Sequence, residues 1–311
     1  MMSFVYLIVG FVLLVVGADK FVAGASAAAR KLGVPALIVG LTVVAFGTSA
    51  PELAVSVTAA MSGANEIAVG NVVGSNIFNL LVVAGLSAVL CPLALDRDIL
   101  RRDWPLSMAA AAILTAMVAW NGDISRLEGL VLLALFAGLM VLQLRPALQN
   151  RAVLLAQKDE NEVQMKPSLI AVNIVIGLAA IILGGQLAVN GATGIARMFG
   201  LSETLIGLTI VAIGTSLPEL VTSLVAARRG QNDIAMGNVI GSNLFNILLI
   251  LGVSAVISPI SVLPTAVIDG AILLVVSLLF YLPARKGTLS RPVGAVMALT
   301  YVAYTAYLIC R

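Results

Sequence analysis

The sequence predicts an all-α polytopic membrane protein whose ten transmembrane helices form two inverted five-helix repeats. The first observation is composition: 60% of the 311 residues are hydrophobic, 11% are charged, and the mean hydropathy is +1.09. Soluble domains average about 45–50% apolar and about 25% charged residues. The second is length, because a spanning helix with its connection uses roughly 30 residues, which allows about ten spans. Open sheets are excluded from lipid and the strict alternation of a barrel is absent, so the spans are helical.

Apolar segments between charged or turn residues place the individual spans. In the first half they cover residues 4–28, 36–61, 67–90, 104–120 and 127–144. In the second half they cover residues 168–195, 203–227, 234–257, 265–283 and 293–310. The first run is interpreted as a retained span and not a signal peptide, because Met1, Met2 and Ser3 carry no positive charge. The only long polar stretch separates the halves, which predicts a first repeat over 1–145, a linker over 146–167 and a second repeat over 168–311.

An internal repeat is the third and strongest observation. A shift of 167 residues aligns GLTVVAFGTSAPELAVS, from residue 40, with GLTIVAIGTSLPELVTS, and 12 of the 17 positions are identical. The same shift aligns GANEIAVGNVVGSNIFN, from residue 63, with GQNDIAMGNVIGSNLFN, again with 12 of 17 identities. A constant offset indicates one duplicated unit of five spans. Five is an odd number, so the second copy must lie upside down in the membrane.

The basic residues agree with this topology. If the N-terminus is outside, fourteen of the 18 Lys and Arg residues fall in loops on the inner side and three on the outer side. Such a bias is the positive-inside pattern. It predicts that both termini are outside and that the linker is cytoplasmic.

Each GTS-x-PE block is expected to break its helix inside the membrane. Pro51 has no amide hydrogen and clashes with the carbonyl of Gly47, and the residue before a proline, Ala50, is biased away from helical geometry. Pro218 does the same in the second copy, so backbone carbonyls over residues 45–48 and 212–215 are freed. Such carbonyls are tolerated in a membrane only if they face protein, water or an ion.

A carboxylate lies beside each break and near the middle of its span. An unpaired charge there costs on the order of 3 kcal/mol, so Glu52 and Glu219 are functional candidates. Helical spacing puts Thr48 and Ser49 on the face of Glu52. The set is completed by Thr215 and Ser216 near Glu219, and by the i, i+4 pairs Ser75 with Asn79 and Ser242 with Asn246. These oxygen ligands suit hard cations such as Ca²⁺ and Na⁺.

Several other functions find no support. The chain has no histidine, Cys91 and Cys310 form no metal-type spacing, and basic residues do not cluster with aromatic ones, which argues against nucleic-acid binding. An intramembrane enzyme with Ser49 or Ser216 as nucleophile has little support, because the chain has no histidine and no G-x-S-x-G motif, so we predict no enzyme activity and no cofactor. A passive cation channel is a weaker alternative, since broken helices in inverted repeats are typical of transporters.

The first and sixth spans contain three further polar side chains. Asp19 is a minor candidate for the ion pathway, whereas Gln186 and Asn190 are interpreted as polar contacts between helices. Arg229, with Arg228, is interpreted as a topology anchor.

The repeated blocks resemble the two α-repeats of the cation/calcium exchanger superfamily, and most of all its prokaryotic sodium/calcium exchangers. The resemblance covers essentially the whole chain, and it implies exchange of several Na⁺ for one Ca²⁺ by alternating access, with the first and sixth helices sliding over the rest. It implies that Glu52 and Glu219 are shared central ligands. The other ligands that it implies are Thr48, Ser49, Ser75, Asn79, Thr215, Ser216, Ser242 and Asn246, with the carbonyls of Ala45 and Ala212.

One position departs from the family pattern. Many sodium/calcium exchangers carry an aspartate where this chain has Asn246, so the site offers two carboxylates, which balance one Ca²⁺. An H⁺/Ca²⁺ exchanger of the same superfamily is therefore the alternative. The expected partners are membrane lipid and the transported Ca²⁺ and Na⁺, with H⁺ as the alternative coupling ion, and a monomer suffices for transport. The expected location is the plasma or inner membrane.

Overall fold

A computed structural model of the chain describes residues 2–149, 165–200, 210, 212–262 and 264–310. The described helices of the first half are α1 (Met2–Leu32), α2 (Ala36–Val39), α3 (Ala45–Thr48), α4 (Ala50–Met61), α5 (Asn65–Phe78), α6 (Ala84–Leu90), α7 (Trp104–Asn121) and α8 (Arg126–Gln149). Those of the second half are α9 (Pro167–Met198), α10 (Ala212–Gly214), α11 (Leu217–Arg228), α12 (Asn232–Leu244), α13 (Leu251–Ile257), α14 (Thr265–Ala284) and α15 (Arg291–Cys310). Four π-helical segments join or extend them: Gly40–Val44, Asn79–Val83, Ile99–Asp103 and Phe245–Ile250.

The helical membrane fold is confirmed. Within the described residues, eight helices are long and apolar enough to cross a membrane, and the bent pair Ala36–Thr48 with Ala50–Met61 makes a ninth. These nine lie at nine of the ten predicted positions. The predicted seventh span, 203–227, begins in residues 201–209 and 211, which lie outside the described residues, so the count of ten stays a prediction. Most of the predicted linker, 150–164, lies outside them as well.

The fifth helix ends a few residues later than expected, and the bounds of the two repeats stay a prediction. The fifth span was expected to end at residue 144 and the first repeat at 145, whereas α8 continues through Pro146 to Gln149. Pro146 removes the hydrogen bond that its nitrogen would donate to Leu142 and crowds that carbonyl, but membrane helices tolerate an internal proline.

The first helices of the two copies pack against each other in opposite directions. A Cβ atom added at Gly10 would lie 2.7 Å from the carbonyl oxygen of Gly184, and one added at Gly17 would lie 2.8 Å from that of Gly177. Higher numbers on α1 thus meet lower numbers on α9, which is an antiparallel run. Since equivalent helices run in opposite directions, the packing agrees with an inverted second copy.

The third and eighth spans form the centre of the molecule. Their most apolar windows, within Ile67–Leu90 and Asn232–Ile257, are 83% and 78% buried, against 11–39% for the other long helices. The outer helices present large apolar side chains, such as Ile8, Val175 and Leu299, which are more than 60% exposed. An apolar outer surface of this extent fits contact with lipid. The chain is an integral membrane protein.

Two small antiparallel sheets join loops of one copy to loops of the other. Strand β1 (Leu93–Ala94) pairs with β4 (Thr288–Leu289), and β2 (Asp123–Ile124) pairs with β3 (Ile260–Ser261). The predicted topology puts the loops of β1 and β4 inside and those of β2 and β3 outside, so each sheet joins loops expected on the same side.

Candidate ion-binding site

The first GTS-x-PE block breaks its helix as expected, but one residue earlier than predicted. The two halves of the span meet at an angle of 49°, and the residue with non-helical backbone angles is Ser49, not Ala50. Ala50 begins α4 and Pro51 lies in its first turn, where the missing amide hydrogen costs nothing. In the second copy Ser216 holds the same position before α11, with Pro218 in the first turn.

The carbonyl of Ala45 is not free, contrary to the proline argument. It accepts a hydrogen bond from the backbone N–H of Ser49 at 3.0 Å, and the Thr48 hydroxyl lies 3.3 Å away. In the second copy the N–H of Ser216 bonds instead to Ile213, at 3.1 Å. Ala212 begins α10, one turn before the break. The helix before the break therefore ends one residue earlier in the second copy, at Gly214, whereas the first copy continues to Thr48.

The two glutamates are fully buried and exchange hydroxyl partners between the copies. Ser49 donates to Oε1 of Glu219 at 2.9 Å, and Ser216 donates to Oε1 of Glu52 at 3.0 Å. Helical spacing had predicted that each hydroxyl faces the glutamate of its own copy, and that prediction is wrong. The break at each serine turns the hydroxyl away from its own helix, and the neighbouring carboxylate accepts it. Such a reciprocal exchange is what an approximate two-fold axis produces.

Further hydroxyls of the predicted set join this centre. The Ser75 hydroxyl lies 3.1 Å from the Ser216 hydroxyl, and the buried Thr48 hydroxyl lies 3.0 Å from Oδ1 of Asn238. Thr215 is half-buried and lies 3.4 Å from Oδ1 of Asn71. These contacts again cross from one copy to the other.

Asn71 and Asn238 are contributors that the sequence reasoning missed. Asn71 donates to the Ser56 hydroxyl at 3.0 Å and to the Glu52 carbonyl at 3.3 Å, while Asn238 donates to Ser223 at 2.9 Å and to the Glu219 carbonyl at 3.3 Å. Each asparagine thus contacts the glutamate helix of its own copy and also the threonine beside the helix break of the other copy. Their identity in both copies of the second block was the available signal.

Asn79 and Asn246 lie in the π-helical segments of the central spans. Asn79 begins Asn79–Val83, which packs against α11, and Asn246 lies in Phe245–Ile250, which packs against α4. Each therefore lies on a segment that contacts the glutamate helix of the other copy. π-helical turns are rare and concentrate at functional sites.

Five buried oxygen atoms of the predicted set have no hydrogen-bond partner among the described residues. They are Oε2 of Glu52, Oε2 of Glu219, Oδ1 of Asn79, Oδ1 of Asn246 and Oγ of Ser242. Buried polar atoms are nearly always paired, so unpaired oxygens beside two carboxylates fit a cation as the missing partner. The described residues contain no group of three or more His, Cys, Asp or Glu side chains that could hold a metal. The arrangement therefore suits an ion held by mixed carboxylate, amide and hydroxyl oxygens.

A cavity of about 410 Å³ lies beside the site, between α4, α9 and α11. It is lined by the two prolines of the breaks, by Thr215, and by Gln186 and Asn190 of α9. Gln186 and Asn190 were interpreted as contacts between helices, and the structure instead places them on the cavity wall. Thr215 belongs both to the cavity and to the predicted ligand set, so the cavity reaches the site.

An ion pair lies at the equivalent position on α1. Asp19 is the equivalent of Gln186, and its Oδ1 accepts from Nε of Arg229 at 2.8 Å and from Nη2 of the same residue. Two turns further along α1, Ser26 donates to Gln231 at 3.1 Å. Arg229, interpreted as a topology anchor, thus joins the end of α11 to α1.

Fold and site together fit one class: an integral membrane transport protein with a candidate cation site where two related halves of the chain meet. A family model described as "Sodium/calcium exchanger protein" matches residues 2–145 and 169–310. The chain belongs to the sodium/calcium exchanger family.

Individual relatives agree with this membership. The chain is 40% identical to the "Putative antiporter CaxA" of Alkalimonas amylolytica over 309 residues, with 96% of each chain covered. It is 39% identical to the "Inner membrane protein YrbG" of Escherichia coli, with 97% of this chain and 95% of the relative covered. A solved structure of the sodium-calcium exchanger NCX_Mj, soaked with Na⁺ and Ca²⁺, superposes with a TM-score of 0.84 at 33% identity, over 98% of each chain.

Proposed function

We propose that this protein is a secondary antiporter that exchanges Na⁺ for Ca²⁺ across the membrane by alternating access. Family membership supports the broader class, a cation/calcium antiporter. The single observation that carries the proposal is the pair of buried glutamates. Each accepts from a serine of the other copy, and each has one oxygen without a partner in the part of the chain that the structure describes. NCX_Mj, whose solved structure resembles this chain, is named a sodium-calcium exchanger.

The ligand chemistry supports Ca²⁺ and Na⁺ as the transported ions. Ca²⁺ takes six to eight oxygen ligands in flexible geometry, and the predicted set offers carboxylate, amide, hydroxyl and carbonyl oxygens. The proposed ligands are Glu52, Glu219, Thr48, Ser49, Ser75, Asn79, Thr215, Ser216, Ser242 and Asn246, with the carbonyls of Ala45 and Ala212. The Ala45 carbonyl oxygen has two lone pairs, so it can accept from Ser49 and still face an ion. Two carboxylates neutralise one Ca²⁺ or two Na⁺, so the same oxygens can be occupied alternately by either ion.

Counterflow in proteoliposomes tests the function. Vesicles that contain the purified chain and internal Na⁺ are diluted into medium with radioactive Ca²⁺, with and without an outward Na⁺ gradient. We expect Ca²⁺ uptake only with the Na⁺ gradient. Ca²⁺ uptake that does not need the outward Na⁺ gradient would favour a passive channel and contradict the antiporter.

An H⁺/Ca²⁺ exchanger is the second candidate, and the asparagine at position 246 favours considering it. With two carboxylates in the predicted set, a protonated glutamate could replace a bound Na⁺. The same vesicles with a proton gradient and no Na⁺ distinguish the two candidates, because Ca²⁺ uptake under that condition would identify H⁺ as the coupling ion.

We further propose that the protein acts in the plasma or inner membrane, with both termini outside and the linker in the cytoplasm. One similar protein is named an inner membrane protein, and the basic residues concentrate in the loops assigned to the cytoplasm. The site is built from one chain, so a monomer is sufficient for transport.

A further inference from the structure

Four buried asparagines form a hydrogen-bonded cluster where the two central spans cross. This asparagine quartet consists of Asn76, Asn79, Asn243 and Asn246, and each member is at most 3% exposed. Asn79 and Asn246 belong to the predicted ligand set, whereas Asn76 and Asn243 do not. All four bonds cross from one copy to the other.

The outer pair is anchored to the backbone. Asn243 donates through Nδ2 to the carbonyl oxygen of Asn76 at 3.3 Å, and Asn76 donates through Nδ2 to the carbonyl oxygen of Asn243 at 3.2 Å. A backbone carbonyl can only accept, so it fixes which end of each side-chain amide faces it. The nitrogen faces the carbonyl, and Oδ1 therefore faces the other way.

This orientation is passed to the inner pair. Oδ1 of Asn243 accepts from Nδ2 of Asn79 at 3.2 Å, and Oδ1 of Asn76 accepts from Nδ2 of Asn246 at 2.9 Å. With their nitrogens held, Asn79 and Asn246 leave Oδ1 as the end that has no partner among the described residues. A flipped amide would present N–H donors to a cation, which repels it, so the orientation of these two side chains decides whether they bind an ion or oppose it.

We propose that Asn243 and Asn76 are positioning residues that orient Asn79 and Asn246, respectively, so that their amide oxygens face the transported cation. The inference rests on the proposed function, because it treats the inner pair as ion ligands. The outer pair acts only through the inner pair and contributes no ligand atom.

A double-mutant cycle tests the inference by equilibrium binding of Ca²⁺ to the purified full-length chain in detergent. Asn243→Ala leaves Nδ2 of Asn79 without its acceptor, and we expect the Kd for Ca²⁺ to rise about tenfold, the size of one lost hydrogen bond. Asn79→Ala removes the ligand itself and should raise the Kd at least as much. If Asn243 acts through Asn79, the double variant N79A/N243A binds Ca²⁺ as N79A does.

The chain supplies its own cross-control. Asn243 makes no side-chain hydrogen bond to Asn246, so the fold-changes in Kd caused by N243A and N246A should multiply. If Asn243 had a merely structural role, the fold-changes caused by N243A and N79A would multiply too. Ser254→Ala, a buried hydroxyl without a partner among the described residues on the same span, should bind like wild type. If N243A fails to fold, the equivalent cycle of Asn76→Ala with Asn246→Ala tests the same statement.

Two outcomes would overturn the inference. If the fold-changes in Kd caused by N243A and N79A multiply fully, Asn243 acts independently of Asn79. If the Kd of N243A is unchanged, Asn243 has no role in Ca²⁺ binding. Both leave the antiporter intact, because the wild-type chain would still bind and exchange Ca²⁺. A wild-type chain that binds no Ca²⁺ would overturn the proposed function and this inference together.

Discussion

At the scale of single residues, the site is governed by two charges that no other described group neutralises. Glu52 and Glu219 are wholly buried, and their hydrogen bonds come from neutral serine hydroxyls. A buried carboxylate without a cationic partner is costly unless a cation is supplied from elsewhere. Charge therefore links the stability of the site to the presence of the transported ion.

Glu52→Gln and Glu219→Gln should each abolish Ca²⁺ transport, because each halves the charge of the site at nearly constant volume. We expect the Kd for Ca²⁺ to rise at least hundredfold, which corresponds to about 2.8 kcal/mol. Calcium binding and vesicle flux measure the effect. Glu128→Gln is the matched control, because Glu128 only caps the start of α8 through Ser125, and glutamine fills that role as well.

The serine hydroxyls that bond to the glutamate of the other copy lead to a second prediction about single residues. Ser49→Ala and Ser216→Ala each remove a hydrogen bond to a carboxylate, worth about 1.5–3 kcal/mol, and should raise the Kd for Ca²⁺ by at least tenfold. Because the contacts are reciprocal, the two variants should agree within a small factor. Ser62→Ala, an exposed serine at the end of the same span, should not change binding. A large effect of only one variant would contradict a shared site.

At the scale of elements, the contact between α1 and α9 is too close for side chains at its glycines. A Cβ atom at Gly184 would lie 2.7 Å from the backbone nitrogen of Leu14, and one at Gly17 would lie 2.8 Å from the Gly177 carbonyl oxygen. Contacts under 3.0 Å with backbone cannot be relieved by a side-chain rotation. The two helices proposed to slide are thus in backbone contact, with little bulk between them.

Gly184→Ala and Gly17→Ala should therefore lower the melting temperature of the purified protein and slow the exchange of ions. Thermal unfolding in detergent and vesicle flux are the measurements. In Gly138→Ala the added Cβ meets nothing within 4 Å, and alanine favours the helix by about 1 kcal/mol over glycine. That control should be as stable as wild type or more so, and a loss equal to that of G184A would contradict the packing argument.

At the scale of elements, the ion pair between Asp19 and Arg229 is also a point at which the two copies of the repeat differ. Its side chains are 55% and 38% exposed, so it contributes at most about 1 kcal/mol. That energy still shifts an equilibrium between two conformations up to about fivefold. The equivalents of these two residues in the other copy are Gln186, which lines the cavity, and Ser62, so no ion pair can form between them. The pair thus favours a conformation in which α1 is held against the end of α11.

Asp19→Asn should release this contact and shift the equilibrium toward opening beside α1. In a background without Cys91 and Cys310, a cysteine replacing Ala23 should react up to about fivefold faster with a water-soluble thiol reagent. A cysteine replacing its equivalent, Asn190, should react more slowly. The charge exchange D19R/R229D should restore both rates, and unchanged rates in D19N would show that the pair has no such role.

At the scale of the whole molecule, the features that could be predicted from sequence are those written into composition and repetition. Nine of the ten spans predicted from hydropathy are found among the described residues, and the 167-residue shift located the residues that the structure brings together at Glu52 and Glu219. The break at Ser49, the exchange of Ser49 and Ser216, and the asparagine quartet could not be predicted. Each depends on how the two copies pack, and a pattern within one copy does not contain that information.

The two copies are expected to have opposite orientations in the membrane. The sequence and the structure provide separate observations that agree with this. The basic residues assign the loops to sides, and the two small sheets join loops assigned to the same side. The antiparallel run of α1 and α9 agrees with inversion. Equivalent positions of an inverted pair must face opposite sides of the membrane, and Met61 and Arg228 are such positions, at the ends of α4 and α11.

In the same cysteine-free background, Met61→Cys should react with a membrane-impermeant thiol reagent added outside intact cells, and Arg228→Cys only after the cytoplasmic side is exposed. Met61 is 71% exposed, so access to the reagent does not limit the test. Retained Ca²⁺ flux in both variants is the control for folding. Labelling of both cysteines from one side would contradict the inverted arrangement, and with it the two matched half-sites on which alternating access depends.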